Sequence, residues 1–248
     1  MKFSSRRSLL LISFFLPALA GFARAETRQT DIPNGFLNIY GGFASAGNTN
    51  LRIDNPNYTG SGGGYSYDVH NLKMKNNVWG GLSAGGWFKQ MPVSIGMSGT
   101  FDILPSAVKE QIASATYIPK TGSSSVVSLA MAERNLMLMG LGANLIVGVP
   151  LKFARPYFGV GPALFMAFHT NKFAGETPTT SMDAKIGYNA FFGTDFFLSR
   201  AFSVFVEGKL SQVNDLDFQP YPSSNPGYHN KYDRVVSRRM AVGGSFHF

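Results

Sequence analysis

Beyond about residue 35, apolar and polar residues alternate with a period of two along most of the chain. In 183–198, Asp183, Lys185, Gly187, Asn189, Phe191, Gly193 and Asp195 share one parity; Ala184, Ile186, Tyr188, Ala190, Phe192, Thr194, Phe196 and Leu198 share the other. A two-residue period is a strand with one apolar and one polar face. Segment 93–103 sets Val93, Ile95, Met97, Phe101 and Ile103 against Ser94, Gly96, Ser98, Thr100 and Asp102. Segment 202–211 opposes Phe202, Val204, Val206 and Leu210 to Ser203, Glu207, Lys209 and Ser211. At the C-terminus Met240, Val242, Gly244, Phe246 and Phe248 oppose Arg239, Ala241, Gly243, Ser245 and His247. Weaker alternation marks 36–45, 78–88 and 157–169. In 134–148, Leu136 and Leu138 interrupt the polar face, and a helix over 136–149 competes. Gly140, Gly142, Asn144 and Gly148 weaken that helix, which falls short of the ~20 residues a membrane span needs.

These segments predict eight strands whose connections alternate long and short. The long ones are 48–77, 105–133, 170–182 and 214–233; the short ones are 89–92, 150–156 and Ser199-Arg200. An up-and-down barrel in an outer membrane sorts its connections this way, with short periplasmic turns and longer outer loops. The expected fold is all-β: an eight-stranded antiparallel up-and-down transmembrane β-barrel with both termini periplasmic. The competing architecture is a soluble sandwich with its charged face outward. The polar face is sparse and carries both signs: Asp102, Asp183, Lys185, Asp195, Glu207, Lys209 and Arg239. Eight strands leave an interior just wide enough for side chains, so these residues are expected to form a polar network plugging the lumen. Tyr40, Trp87, Tyr157, Phe168, Phe202 and Phe248, at strand ends, are expected to form interfacial belts.

Composition narrows the chemistry. The chain has 248 residues, no cysteine, four histidines and 15% charged residues, against about 25% in soluble domains. Disulfides and thiolate sites are excluded, and no cofactor or metal is expected. Residues 1–25 read as a secretory signal: Lys2, Arg6 and Arg7, then an apolar run, then Ala23-Arg24-Ala25. Residues 26–34 are expected to be a periplasmic extension and 35–248 the barrel. Removing 1–25 takes four of the 22 basic residues, leaving 18 against 14 acidic ones. That surplus is too small and scattered for a nucleic-acid partner.

The segment Met240-Ala-Val-Gly-Gly-Ser-Phe-His-Phe248 resembles the last strand of bacterial outer-membrane proteins, which end on an aromatic residue. Together with 157–163 and 193–207 it is similar to the OmpA-like/OmpX-like eight-stranded barrel (porin-family) superfamily. The resemblance implies recognition of Met240, Val242, Gly244, Phe246 and Phe248 by the barrel-assembly machinery. It also implies contact with outer-membrane lipid and lipopolysaccharide. It does not extend to the peptidoglycan-binding domain that follows the barrel in OmpA.

Three functions compete: a non-catalytic barrel displaying four surface loops (envelope integrity, adhesion or surface antigen, with a ligand reached through the loops), a narrow porin-like channel, and a lipid A-modifying enzyme. The enzyme is disfavoured. Thr170 follows His169 on the opposite face, His247 and Ser245 share a face inside the lumen, and His70 and His229 lie in loops without a constellation. Asp215 and Asp217 read as solvated loop charges. Arg238, on the parity of Met240, faces outward ten residues above Phe248 and is expected to meet lipopolysaccharide phosphate.

Overall fold

The computed structural model describes residues 33–57, 63–89, 93–171, 179–220 and 227–248. The signal segment and residues 26–32 of the expected extension lie outside the described residues. The strands are β1 Gly35–Ala46, β2 Thr49–Asn55, β3 Tyr65–Leu72, β4 Asn77–Lys89, β5 Ser94–Val108, β6 Gln111–Pro119, β7 Ser125–Met131, β8 Arg134–Gly148, β9 Ala154–Asn171, β10 Thr179–Phe197, β11 Phe202–Phe218 and β12 His229–His247.

Eight of them form a closed antiparallel cylinder in the order β1-β4-β5-β8-β9-β10-β11-β12, sealed by pairing of β12 with β1. Residues 136–149, where a helix competed, lie on a strand over all but the last position. The register fixes the barrel's geometry. From Gly35 the cross-strand partners run to Gly86, Met97, Leu145, Val160, Ala190, Leu210, Arg238 and back to Ser45. One circuit therefore returns to β1 ten residues further along. With eight strands this stagger tilts them by about 40° and gives a radius of about 8 Å. Gly35 and Phe248 exchange backbone hydrogen bonds of 2.9 and 3.1 Å, so both ends of the cylinder's chain meet at one rim. The links from β4 to β5, β8 to β9 and β10 to β11 turn at this terminal rim.

The outer wall is apolar. Ile39, Phe43, Val78, Met97, Leu145, Phe158, Ile186, Phe192 and Met240 are all at least half exposed. A monomer in water rarely exposes one continuous apolar band, and a closed barrel is one of the two structures that satisfy every backbone group in hydrocarbon. The band is the surface of a membrane-spanning barrel. Tyr40 and Trp87 depart from the expected belts: both are buried inside the cylinder, and Tyr157 lies on the same inward face. Their parity decides this, because an inward position puts even an aromatic side chain in the lumen. Phe202 and Phe248 do face outward, and Phe202 packs on Phe246 at 5.3 Å between ring centres.

Two of the expected loops are largely strand. Segment 48–77 holds the β2–β3 hairpin, and 105–133 holds the end of β5 and the β6–β7 hairpin. These four strands form a curved cap at the far rim, in the order β2-β3-β6-β7, joined to the barrel where β2 pairs with the start of β12 over His229–Tyr232. Their alternation was short but present: Leu51 and Ile53 are buried, while Arg52 lies on the other face. Cap and barrel share one apolar core, in which Leu51, Val69, Leu72 and Ala115 join Leu104, Leu136, Phe165, Val213 and Leu216. The Met74–Val108 bridge and the Lys75–Glu133 ion pair tie the cap's base to the rim.

The closing seam is the most confined backbone contact. A Cβ at Gly42 would collide with the Met240 carbonyl oxygen across the β1–β12 pair. Gly42→Val is expected to destabilise the barrel by ~2 kcal/mol or more, as overpacking does. Urea unfolding in detergent micelles checks this through Trp79 and Trp87, the chain's two tryptophans, both buried inside the barrel.

Candidate functional site

The inward faces of the eight strands build three layers. Nearest the terminal rim, Arg155 is fully buried, with its guanidinium over the rings of Trp87 at 4.6 Å and Phe197 at 5.1 Å. Beside it the Ser203 hydroxyl and His247 Nε2 are 2.9 Å apart. Rings this close hold a cation by cation–π attraction and exclude water from it.

The middle layer centres on Asp102 of β5. Lys209 Nζ donates to its Oδ2 at 2.5 Å, Arg239 Nη1 lies 3.2 Å from the same oxygen, and the Tyr40 hydroxyl donates to Oδ1 at 2.9 Å. Arg239 also donates to Ser211, which donates to Asn189, and its guanidinium stacks on Trp79 at 4.4 Å. Glu207, two residues before Lys209 on the same face, accepts from the Tyr157 hydroxyl at 3.0 Å. Two carboxylates and two cations therefore share this level. Burying a charge is costly unless it is paired and hydrogen-bonded, and here the partners come from non-adjacent strands that only closure brings together. A small cavity of about 30 Å³ lies among Asn38, Ser98, Asp195 and Glu207. That is room for about a water molecule.

Towards the far rim the lumen turns apolar: Leu104, Leu136, Leu138, Phe165, Val213 and Val235 fill it. His169 is fully buried here, stacked on Phe218 at 5.0 Å. The leucines that interrupt the polar face of 134–148 are thus lumen residues in a mainly apolar section, where Arg134 is also buried and donates to Asn230 at 3.1 Å.

The cap carries its own chemistry. On its outer face Asp54 accepts from Arg52 Nε at 2.8 Å, Ser66 at 2.7 Å and Lys231 of β12 at 3.1 Å, so the β2–β12 junction is also an ionic one. Burial by itself raises the Asp54 pKa, but these hydrogen bonds and the Arg52 charge overcome it and hold the carboxyl below its ordinary value. On the opposite face Tyr67 lies 5.3 Å from both Tyr65 and Tyr117, ring centre to ring centre, in a half-exposed aromatic group. Neighbouring rings and partial burial raise the Tyr67 pKa, desolvation being the larger cause.

Of the seven residues expected in the lumen network, Asp102, Asp195, Glu207, Lys209 and Arg239 are buried inside the cylinder. Asp183 and Lys185 are not: they keep the inward parity, but their side chains are 18% and 40% exposed. They lie past the buried length of β10, where Asp183 accepts from the Asp217 backbone N–H at 2.7 Å. Parity sets a direction and not a depth, so alternation does not tell a lumen charge from a rim charge. Met240, Val242, Phe246 and Phe248 are exposed on the outer wall, as is Arg238. Sequence reasoning missed Arg155, Ser203 and the Asp217–His229 pair, in which Oδ1 and Nδ1 are 2.8 Å apart. Asp217 and His229 face each other across the ends of β11 and β12, in a segment (214–233) whose composition predicts a loop.

Interior, wall and cap define a membrane-spanning eight-stranded β-barrel with a structured cap. No family model matches the chain, and no curated protein matches it. Among solved structures it is similar to Neisserial surface protein A, at 13% identity and a TM-score of 0.47 over 86% of this chain and 97% of that one. It is similar to the outer membrane protein OprG from Pseudomonas aeruginosa, at 14% identity and a TM-score of 0.45 over 90% and 99%. The outer membrane protease OmpT from Escherichia coli aligns at 9% identity and a TM-score of 0.43 over 87% and 97%.

Asp102→Asn leaves Lys209 and Arg239 without their carboxylate and is expected to cost ~3–5 kcal/mol. Asp183→Asn, at the partly exposed rim, loses one of two carboxylate acceptors for backbone N–H groups and is expected to cost less, about 1 kcal/mol. Urea titration of both variants in micelles checks the contrast.

Because the Asp54 carboxyl is held below its ordinary value, its contribution to the cap junction is present above about pH 4, the unfolded carboxylate value. It is lost as pH falls through the lower folded value. Hydrogen exchange in β2 and β3 is expected to accelerate below that pH, and Asp54→Asn to remove the change.

Proposed function

We propose that the protein is a non-catalytic barrel of the bacterial outer membrane, with both termini periplasmic and the cap held at the cell surface. The cap then serves envelope integrity, adhesion or antigen display. The observation that carries this reading is the filled lumen: rings against Arg155, an ion cluster at Asp102 and an apolar core above it, with small cavities of about 30 and 10 Å³ among the described residues. A filled cylinder serves as a rigid post, and a rigid scaffold bearing an exposed surface is a common basis of recognition. The apolar outer wall supports the membrane location, and Met240, Val242, Gly244, Phe246 and Phe248 remain our assignment for the barrel-assembly signal.

Catalysis finds less support. Ser203 and His247 are a hydroxyl and a base, but both are buried at the terminal rim and among the described residues no carboxylate orients the imidazole. Asp217 and His229 pair without a nucleophile placed against them by any described contact.

Reconstituted in a planar bilayer, the protein is expected to show no steady conductance. A stable open level would overturn the sealed-post reading in favour of a channel. Outer-membrane fractionation with heat-modifiable gel migration tests the location and the closed barrel separately.

A further inference from the structure

The outer wall is not uniform. On the face made by β9 to β12 an apolar groove of about 690 Å³ opens directly on the membrane side. Ala190 lies on its floor, where the Phe192 ring covers Gly208; Phe158, Leu210 and Met240 flank it, and Arg238 stands at one end. The register explains the shape. Ala190, Leu210 and Arg238 form one cross-strand rank; Phe158, Phe192, Gly208 and Met240 form the next towards the terminal rim. Gly208 projects no side chain, and a Cβ there would come within 2.9 Å of the Phe192 ring, which lies across it. The Phe192 ring therefore takes the place of a Gly208 side chain, and the shallow position left among bulky neighbours is Ala190.

We infer that this groove holds one anionic lipid of the outer leaflet, its acyl chain along Ala190 and the Phe192 ring and its phosphate on Arg238. The inference rests on the membrane reading above. Three observations select this occupant. The groove belongs to the apolar band, where the surrounding medium supplies acyl chains. Each strand lining it is already paired on both sides, so it offers no open backbone edge to an added strand. The third is charge and depth: Arg238 is exposed, and it lies ten residues from Phe248, a climb of about 25 Å for a strand tilted by about 40°. That is about the height of a barrel's apolar band, so the guanidinium reaches the phosphate level, where it forms charge-assisted hydrogen bonds. Its own stem and the neighbouring Leu210 and Met240 cover the join between head and chain.

Native mass spectrometry of the detergent-folded protein tests this with added lipid A, which is phosphorylated, and with phosphatidylethanolamine, which carries no net charge. The expected result is a single lipid A adduct per barrel that phosphatidylethanolamine does not match. Arg238→Ala, which removes the cation, and Ala190→Phe, which fills the floor, should each weaken the adduct at least fivefold. Arg234→Ala, another exposed cation on β12, should leave it unchanged. Equal retention by Arg238→Ala and Ala190→Phe, or equal retention of the zwitterionic lipid, would overturn the site. So would a dimer that Ala190→Phe abolishes while lipid binding is absent. Heat-modifiable migration of each variant separates loss of the site from failure to fold. A chain that stays monomeric in water without detergent would refute the membrane reading itself.

Discussion

A backbone in hydrocarbon has no water to bond, so every N–H and C=O in the membrane must find a partner within the protein. The pairing of β1 with β12 meets that requirement, because it removes the last two open edges of the cylinder. Much else follows from it. Closure with a stagger of ten sets the radius, and the radius sets how much side chain the interior must hold. Where strands approach closely, as at Gly42 against Met240, side chains are excluded altogether.

The interior is filled in two chemically different ways. Near its middle, charges from β5, β11 and β12 neutralise one another at Asp102, each supported by hydroxyls and ring faces. Nearer the cap the same inward positions carry leucine, valine and phenylalanine, which need no partners and pack as a soluble core does. The change of chemistry follows the surroundings. The ion cluster sits where the barrel is closed on all sides, while the apolar section is continuous with the underside of the cap and anchors it. The cap is therefore not a set of independent loops. Its strands inherit order from the barrel through a shared core and through the ionic junction at Asp54 and Lys231.

This division assigns different work to the two surfaces of the cylinder. The inner one pairs its charges around Asp102, sets Arg155 against ring faces and leaves little room for a solute. The outer one is apolar except where rank and register place small residues beside an exposed cation. The cap adds an ionic outer face and a tyrosine group, and the outer wall a groove beside Arg238.

The sequence by itself determined the class, the eight barrel strands in chain order and, where alternation is strong, which parity turns inward, because a period of two is a local property that survives wherever one face meets lipid. It did not determine depth. Asp183 and Asp195 share a parity, yet one lies at an exposed rim and the other in the lumen, since height depends on tilt and stagger, which belong to the closed cylinder. Nor did it reveal that Tyr40 and Trp87 are lumen residues, that 48–77 and 105–133 fold into a cap, or that Arg155 is held between two rings. Those contacts join residues far apart in the chain. Short strands rich in serine, alanine and tyrosine carry too weak a pattern to announce themselves before the barrel provides the edge and the core on which they pair.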